Sequence, residues 1–530
     1  MLIDARSLPP DEELETDVCI VGAGPAGITL ALELLDTGAR VCILESGGSE
    51  PGQARSGLVG GESVGYPYVS LKHVNRRALG GTSHCWRLWH VCPLDRIDFE
   101  QRAEVPGSGW PFDRTELVPY YRRAEEICGA DPFDYGESWD EDEPLSARLP
   151  VETGSLVTRS LQVVPNRFGA YADRLAQSET LRILLHAVTE EIVVDSGDGP
   201  ATSIKALTGP GRRLTVRARI FVLATGGIEA PRLLLLNDRV RRGGIGNQHD
   251  LVGRYFMEHP SARSGVIVPA TGALLAEESL YYSPGTIYSE AEGRVYHRTV
   301  LALDDRLLRR EGLLNVTFLL EGQTRAFAKS GTRSLGTLGR AVVSRPRVPH
   351  LLRHGTSVLR EPLDVSRALL QKLTHRTPDA EVLVMRVQAE QEPRPESRVT
   401  LGDRRDAFGR PLARLDWQLS ALDISSIRRA QDVVDDALGK AGLGVVEDKL
   451  GNERAPVLFY GLYHHIGTTR MHADPKRGVV DPDCRVHGVR NLFVTGSSVF
   501  PTAGWANPTL TIVALAIRLA DHLKRALGLG

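Results

Sequence analysis

Two blocks near the C-terminal end carry side chains suited to moving a proton. GLYHHIGTTRM (461–471) contains His464 and His465, and PTAGWANPTLT (501–511) sets Asn507 directly before an apolar run that reads as a helix from Pro508 onward. Imidazole accepts a proton near neutral pH, and a carboxamide offers a donor and an acceptor, so the two could deprotonate and orient a hydroxyl. Each has a plainer reading: a lone histidine is more often a satisfied core residue, and Asn507 could simply cap its helix. A third polar set, Gln388, Glu390 and Glu392, falls on one face of a strand by its period of two, where it would line a site or face water.

Such groups need a frame and a reaction partner, and TDVCIVGAGPAGITLALELLDTGARVCILE (16–45) supplies both. Val18 to Val21 is a short apolar strand, a glycine turn leads into an Ala- and Leu-rich helix, and Val41 to Leu44 is a second strand ending on Glu45, which completes a βαβ unit. Gly22 permits the tight turn, Gly24 lets the backbone approach a pyrophosphate, and Gly27 allows close helix–strand packing, so free N–H groups at the helix start await an anion. Glu45 stands where a carboxylate would accept ribose hydroxyls and repel a 2′-phosphate. The pattern predicts a bound dinucleotide.

Further along, ALGGTSHCW (78–86) joins Gly80 and Gly81 to Thr82 and Ser83, which suits a backbone passing close against a flat ring, or an ordinary turn before a tryptophan. LRILLHAVTEEIVVD (181–195) alternates like a strand hairpin laid on the nucleotide unit. ARIFVLATGGIEAPRLLLL (218–236) gives a buried strand at Ile220 to Leu223, a turn at Ala224 to Gly227 and a helix from Ala230, returning the chain to the first βαβ unit. From about 261 to 457 the pattern changes to alternating strands such as RVYHRTVLAL, NVTFLLEG, VLVMRVQAEQ and ARLDWQL. Within this region 340–376 is basic and proline-interrupted, carrying Arg345, Arg347, Arg353, Arg360, Arg367, Lys372 and Arg376 against Glu361 and Asp364. A solvated helical insertion is the favoured reading, and a docking face for a partner or an anionic surface the other.

With 530 residues the chain exceeds what one core organises, so two lobes are expected. A net charge of −2 creates no global field toward nucleic acid and argues against a highly charged substrate. The six cysteines, Cys19, Cys42, Cys85, Cys92, Cys128 and Cys484, form no CxxC pair, which argues against a zinc site and a disulfide framework; Cys19 and Cys42 read as buried thiols of the first two strands. The first eighteen residues lack a basic start and an apolar core, and no run approaches membrane-spanning length, so a cytoplasmic location is expected.

Taken in order, GAGPAG with Glu45, GGTSHCW, ATGGIEAPRLLL, LVGRYFMEHP (251–260), YHHIG and ANPTLT resemble the glucose-methanol-choline (GMC) flavoprotein oxidoreductases over nearly the whole chain. The resemblance implies FAD, not NAD, in the dinucleotide site. It also implies an α/β fold, α+β overall, in which a Rossmann-type FAD-binding domain (1–255 with 458–530) carries a second, sheet-based substrate-binding domain (256–457). Cofactor contacts are implied for Gly22, Gly24, Gly27, Glu45, Gly80, Gly81, Thr82, Ser83, Cys85, Val188, Ala224, Gly226 and Thr509.

The family's catalytic pair maps onto His464, as general base, and Asn507, with His465 one place out of register. HHIGTTRM and TAGWANPTLT are most similar to the pyranose 2-oxidase and bacterial sugar or glycoside oxidase branch, in which a polar strand residue above the flavin contacts sugar hydroxyls; Gln388, with Glu390 beside it, matches that position. The implied activity is oxidation of a ring secondary hydroxyl, at C2 or C3 of a pyranose sugar or glycoside, by hydride transfer to flavin N5, with O2 or a quinone-type compound as electron acceptor. Other alcohol specificities, and a redox-neutral epimerase or lyase, are the alternatives, and a homo-oligomer is left open. Fungal pyranose oxidases attach FAD through a histidine directly before a tryptophan, whereas here Cys85 precedes Trp86 and His84 stands one place earlier, so FAD is expected to be non-covalent.

Overall fold

The computed structural model of the protein describes residues 1–53, 57–85, 88–133, 135, 155–195, 199–239, 241–276, 295–344, 350–374, 380–451 and 457–529. Two large sheets carry the chain. In the first, the strands run in the order Leu2–Asp4, Leu181–Leu185, Val41–Leu44, Glu12–Val21, Arg212–Leu223, Ala201–Gly209 and Val188–Val194, with Leu492–Val494 also paired to Arg212–Leu223. The pairings from Leu2–Asp4 through Arg212–Leu223, and that of Leu492–Val494, are parallel, while Ala201–Gly209 is antiparallel to both its neighbours. Strands buried on both faces need continuous apolar runs, and the central ones provide them: Val18, Cys19, Ile20, Val41, Cys42, Ile43, Phe221, Val222 and Leu223 are all buried. Cys19 sits directly opposite Cys42 as a core thiol. Helices Pro25–Leu34 and Thr509–Leu527 pack together against this sheet, so the first and last helices of the chain share one core.

The second sheet is antiparallel throughout, in the order Gly444–Glu447, Ser261–Pro269, Val382–Ala389, Val316–Gln323, Tyr296–Leu303, Leu156–Pro165 and Leu88–Val91. Its alternation divides labour between faces. Phe318, Leu320, Leu383, Met385 and Val387 pack beneath helix Ala421–Lys440, through Ile427, Ala430, Val434 and Leu438. Thr317, Leu319, Arg386 and Gln388 point the other way, and from that face Gln388 reaches Asn507. A small third sheet joins Arg398–Arg405, Pro411–Trp417 and Gly61–Gly65.

Two expectations change. LRILLHAVTEEIVVD is not a hairpin: Leu181–Leu185 pairs in parallel beside Val41–Leu44, while Val188–Val194 lies at the far edge of the same sheet, because His186, at φ +58, turns the chain away from its own strand. Strands Leu88–Val91 and Leu156–Pro165, from within the first 255 residues, belong to the second sheet, so the two sheets exchange chain more than once. The basic segment is helical where described, as Ser330–Ser344, Leu351–Arg360 and Pro362–Thr374. Arg345, Arg347 and Arg376, and the side chain of Lys372, lie outside the described residues. No described helix is long and apolar enough to cross a membrane.

Candidate active site

A cleft of about 1290 Å³ opens at the carboxyl ends of Glu12–Val21, Val41–Leu44 and Arg212–Leu223, where α/β sheets bind ligands. Gly22 has φ +101, and a Cβ there would lie 2.6 Å from the Ala224 carbonyl oxygen; a Cβ on Gly27 would lie 2.0 Å from the Gly22 oxygen. Both glycines are therefore required by close packing. At Gly24 an added Cβ meets nothing within 4 Å, because the space before it is the cleft itself. No side chain caps the start of helix Pro25–Leu34, so its first N–H groups are left to an anion. Glu45 is buried on the cleft wall, with Oε2 accepting from the Ala23 N–H (3.1 Å) and Oε1 from the Gly47 N–H (2.7 Å). Burial raises its pKa, and those two donors offset the rise only in part. Arg76, Arg77 and Arg410 add cationic walls, Arg77 paired with Glu229 at 3.1 Å and Arg410 with Asp406 at 2.9 Å.

A glycine turn, an uncapped helix start, a buried carboxylate at the end of the second strand and cationic walls fit a dinucleotide. Gly22, Gly24, Glu45, Gly81, Thr82, Val188, Ala224, Gly226 and Thr509 all line this cleft. Gly27 and Gly80 pack behind its wall, the latter donating its N–H to the Ala23 carbonyl at 2.8 Å. Ser83 is buried with its hydroxyl on the Gly80 carbonyl (2.7 Å). Cys85 is exposed and does not line the cleft, its Sγ accepting from Arg76 Nε at 3.2 Å, and the His84 ring is turned back onto the Leu79 carbonyl. Trp86 lies outside the described residues.

His464 lines the same cleft, and a run of hydrogen bonds sets its protonation. The Ala503 carbonyl can only accept, so His259 Nε2, 3.4 Å away, carries the proton and leaves Nδ1 bare. His464 Nδ1, 2.7 Å from that nitrogen, must then donate, which leaves His464 Nε2 bare, 3.3 Å from the Asn507 Nδ2. On the far side of the same amide, Gln388 Nε2 donates to Asn507 Oδ1 (2.9 Å) and to the Trp505 carbonyl (2.7 Å). Burial, with His259 and His465 nearby, holds the His464 pKa well below that of ordinary imidazole, so the ring is neutral at physiological pH. Asn507 is not a helix cap: the helix it precedes is Thr509–Leu527, with Pro508 at the cap position.

The loops that present this pair are fixed from beneath. Glu258 is fully buried, and its Oε2 accepts N–H groups of His259, Leu462 and His464, each at 3.1 Å, while Oε1 accepts the Tyr68 hydroxyl. Burial lifts Glu258 to about 7 against these donors. Tyr463, immediately before the base, is held at φ +65, where an L side chain costs about 1 kcal/mol, so the carboxylate holds the loop in a turn it would otherwise relax from. His465 also lines the cleft, but its Nε2 is engaged 3.0 Å from the Tyr68 hydroxyl, and burial lowers its pKa to about 3. The Asn507 loop is anchored through Trp505 Nε1, which donates to Asp95 Oδ2 at 2.7 Å.

Of the two polar residues expected to meet substrate, only Gln388 reaches the pair. Glu390, just past the strand's end, is buried in an ion pair with Arg102 (3.0 Å) and accepts the Asn315 N–H (2.9 Å); a buried carboxylate needs that pairing, so its oxygens are committed away from the cleft. His259, Glu258 and Tyr68 were not singled out by residue type. The block LVGRYFMEHP carried a signal in its adjacent acid and imidazole, but only folding shows that both face the 461–467 loop.

Residues 17–317 match the family described as FAD dependent oxidoreductase, and residues 393–516 that described as GMC oxidoreductase. The chain is an FAD-dependent oxidoreductase of the GMC family, acting on alcohols. It is 25% identical to 2-methyl-1,2-propanediol dehydrogenase of Mycolicibacterium austroafricanum, over 96% of this chain and 95% of that one. Over a shorter stretch, 22% of each chain, it is 40% identical to C-glycoside 3-oxidase of Microbacterium trichothecenolyticum. Formate oxidase of Aspergillus oryzae RIB40 shares the fold, with a TM-score of 0.58 at 17% identity over 99% of this chain and 100% of that one.

Proposed function

We propose that the protein oxidises a ring secondary hydroxyl, at C2 or C3 of a pyranose sugar or glycoside, to a ketone, with His464 as general base. The observation that carries this reading is the placement of His464 in the cofactor cleft, with Nδ1 2.7 Å from His259 Nδ1 and Nε2 3.3 Å from the Asn507 amide nitrogen. Bound FAD supplies the hydride acceptor. The chain supplies the rest. His464 Nε2 takes the hydroxyl proton, the Nδ1–H bond to His259 spreads the resulting positive charge, and Gln388 fixes the amide of Asn507 so that its N–H side orients the reacting oxygen.

The similarity to C-glycoside 3-oxidase and to paromamine 6'-oxidase of Streptomyces fradiae (25% identical over 96% of this chain) supports a sugar-like substrate. In this reading the first sheet, with the C-terminal segment 458–530, holds FAD without a covalent link, and the second sheet, built from 256–457 together with Leu88–Val91 and Leu156–Pro165, holds the sugar. The enzyme works in the cytoplasm with O2 or a quinone-type acceptor. An anaerobic flavin-bleaching screen tests this, using free sugars, O-glycosides and C-glycosides, with 2-methyl-1,2-propanediol as the non-sugar alcohol and product analysis. Bleaching by a pyranoside with formation of its keto-sugar is the expected result; bleaching by the diol alone overturns the substrate class, and turnover of a sugar without net bleaching assigns a redox-neutral reaction. His464→Ala should keep FAD and slow bleaching by roughly 10²- to 10⁴-fold.

A further inference from the structure

Exposed apolar side chains are concentrated in one place. Among the described residues eleven large hydrophobics are exposed, and seven of them, Leu351, Leu352, Leu359, Leu363, Leu369, Leu370 and Leu373, fall on the consecutive helices Leu351–Arg360 and Pro362–Thr374. Both helices already have an inner face: His354 and Ser357 are buried on the first, Val365 and Ala368 on the second. At 100° per residue, Leu352 and Leu359 point roughly opposite His354 and Ser357, and Leu363 and Leu370 roughly opposite Val365 and Ala368. These leucines therefore point outward; Leu352 is 84% exposed, Leu359 79% and Leu363 73%. A helix apolar on the side away from its own core is built for a second apolar phase.

The flanks give the partner's charge. Arg353, Arg360 and Arg367 are exposed beside the leucines. Of the two acids in this stretch, Glu361, between the helices, is turned inward onto the Gly331 N–H and the Ser330 hydroxyl, and Asp364 is 3.9 Å from Arg367, leaving Arg353 and Arg360 to make the outer surface basic. A two-fold self-contact would set this basic face against the same basic face of a second copy, which like-charge repulsion opposes. Anionic lipid headgroups complement them, with the leucines entering the headgroup–acyl boundary and the arginine stems lying along the apolar surface.

We infer that this helical pair is a peripheral membrane-docking face, specific for a surface of anionic phospholipid. Flotation of the flavin-loaded enzyme with phosphatidylcholine vesicles, with and without phosphatidylglycerol, tests it. The enzyme should float with the anionic vesicles only, and added salt should release it. Arg353→Gln/Arg360→Gln/Arg367→Gln should weaken partitioning on the order of 100-fold, about fivefold per charge. Leu352→Ser/Leu359→Ser/Leu370→Ser should abolish it at unchanged flavin content and melting temperature, since all three are surface positions. Wild-type enzyme that ignores both vesicle types, or floats equally with both, overturns the inference. So does a wild-type dimer, seen by analytical ultracentrifugation, that ignores vesicles and that the leucine variant dissociates, since the face would then be a contact between copies.

Discussion

Replacing His259 by Phe probes the protonation argument at its origin. The substitution keeps a ring in the site but removes the acceptor that lies 2.7 Å from His464 Nδ1. In the tautomer needed for catalysis that N–H then has no partner in a buried site, at a cost of about 1–3 kcal/mol. The cost falls on the base-competent tautomer, so flavin reduction should slow roughly 5- to 150-fold at about 1.4 kcal/mol per decade. Sugar affinity should change little, because His259 lies behind the base. His259→Asn, which restores an acceptor oxygen, should recover part of the rate. Anaerobic stopped-flow reduction measures both variants. A Phe variant with full flavin and wild-type melting that is reduced at the wild-type rate would refute the tautomer assignment.

Gly24→Glu should abolish FAD binding without unfolding the chain, because its side chain enters open cleft space and sets a carboxylate where the helix start attracts an anion; an absorbance spectrum retaining bound flavin counts against the site. Acid precipitation should leave the flavin in the supernatant, since His84 and Cys85 are engaged elsewhere, and a yellow pellet would reveal a covalent bond. His465, lowered to about 3, stays neutral in the fold while the unfolded chain gains a proton below about pH 6.5, so its contribution to stability is complete above that pH and diminishes as the solution is acidified, by about 2 kcal/mol at pH 5. His465→Gln should accordingly lose less melting temperature than wild type between pH 7 and pH 5; equal losses would mean that the histidine is protonated in the native state.

Much of this was legible because local patterns carry it. The βαβ frame of 16–45 combines three glycines, two apolar runs and a terminal acid in one continuous segment, and periodicity marked the strands around His297, Phe318, Met385 and Leu415. What escaped depends on pairing across long separations. The run 181–195 looks like a hairpin because alternation is the same whichever neighbour a strand chooses, and only His186 in a left-handed turn sends its second half to the far edge of the sheet, away from the first. Glu390 has the correct period for the site face but lies one residue beyond the strand, where Arg102, 288 positions earlier, takes it. Glu258 and His259 become parts of the site only when an isolated bridge from Met257 to Ile466 draws two loops together.

The position of that C-terminal segment has a consequence for biosynthesis. Gly24 and Glu45 leave the ribosome early, yet their cleft is closed by Thr495, Ser497 and Thr509, and the helix beginning at Thr509 packs on the one beginning at Pro25. A chain that stops short of this segment therefore holds an incomplete nucleotide site, although all strands of the first sheet except Leu492–Val494 lie within its first 223 residues. Contacts spanning nearly the full sequence form last and slowly. Flavin loading accordingly waits on the segment that carries Thr495, Ser497 and Thr509, and the helix beginning at Thr509 latches that segment onto the one beginning at Pro25.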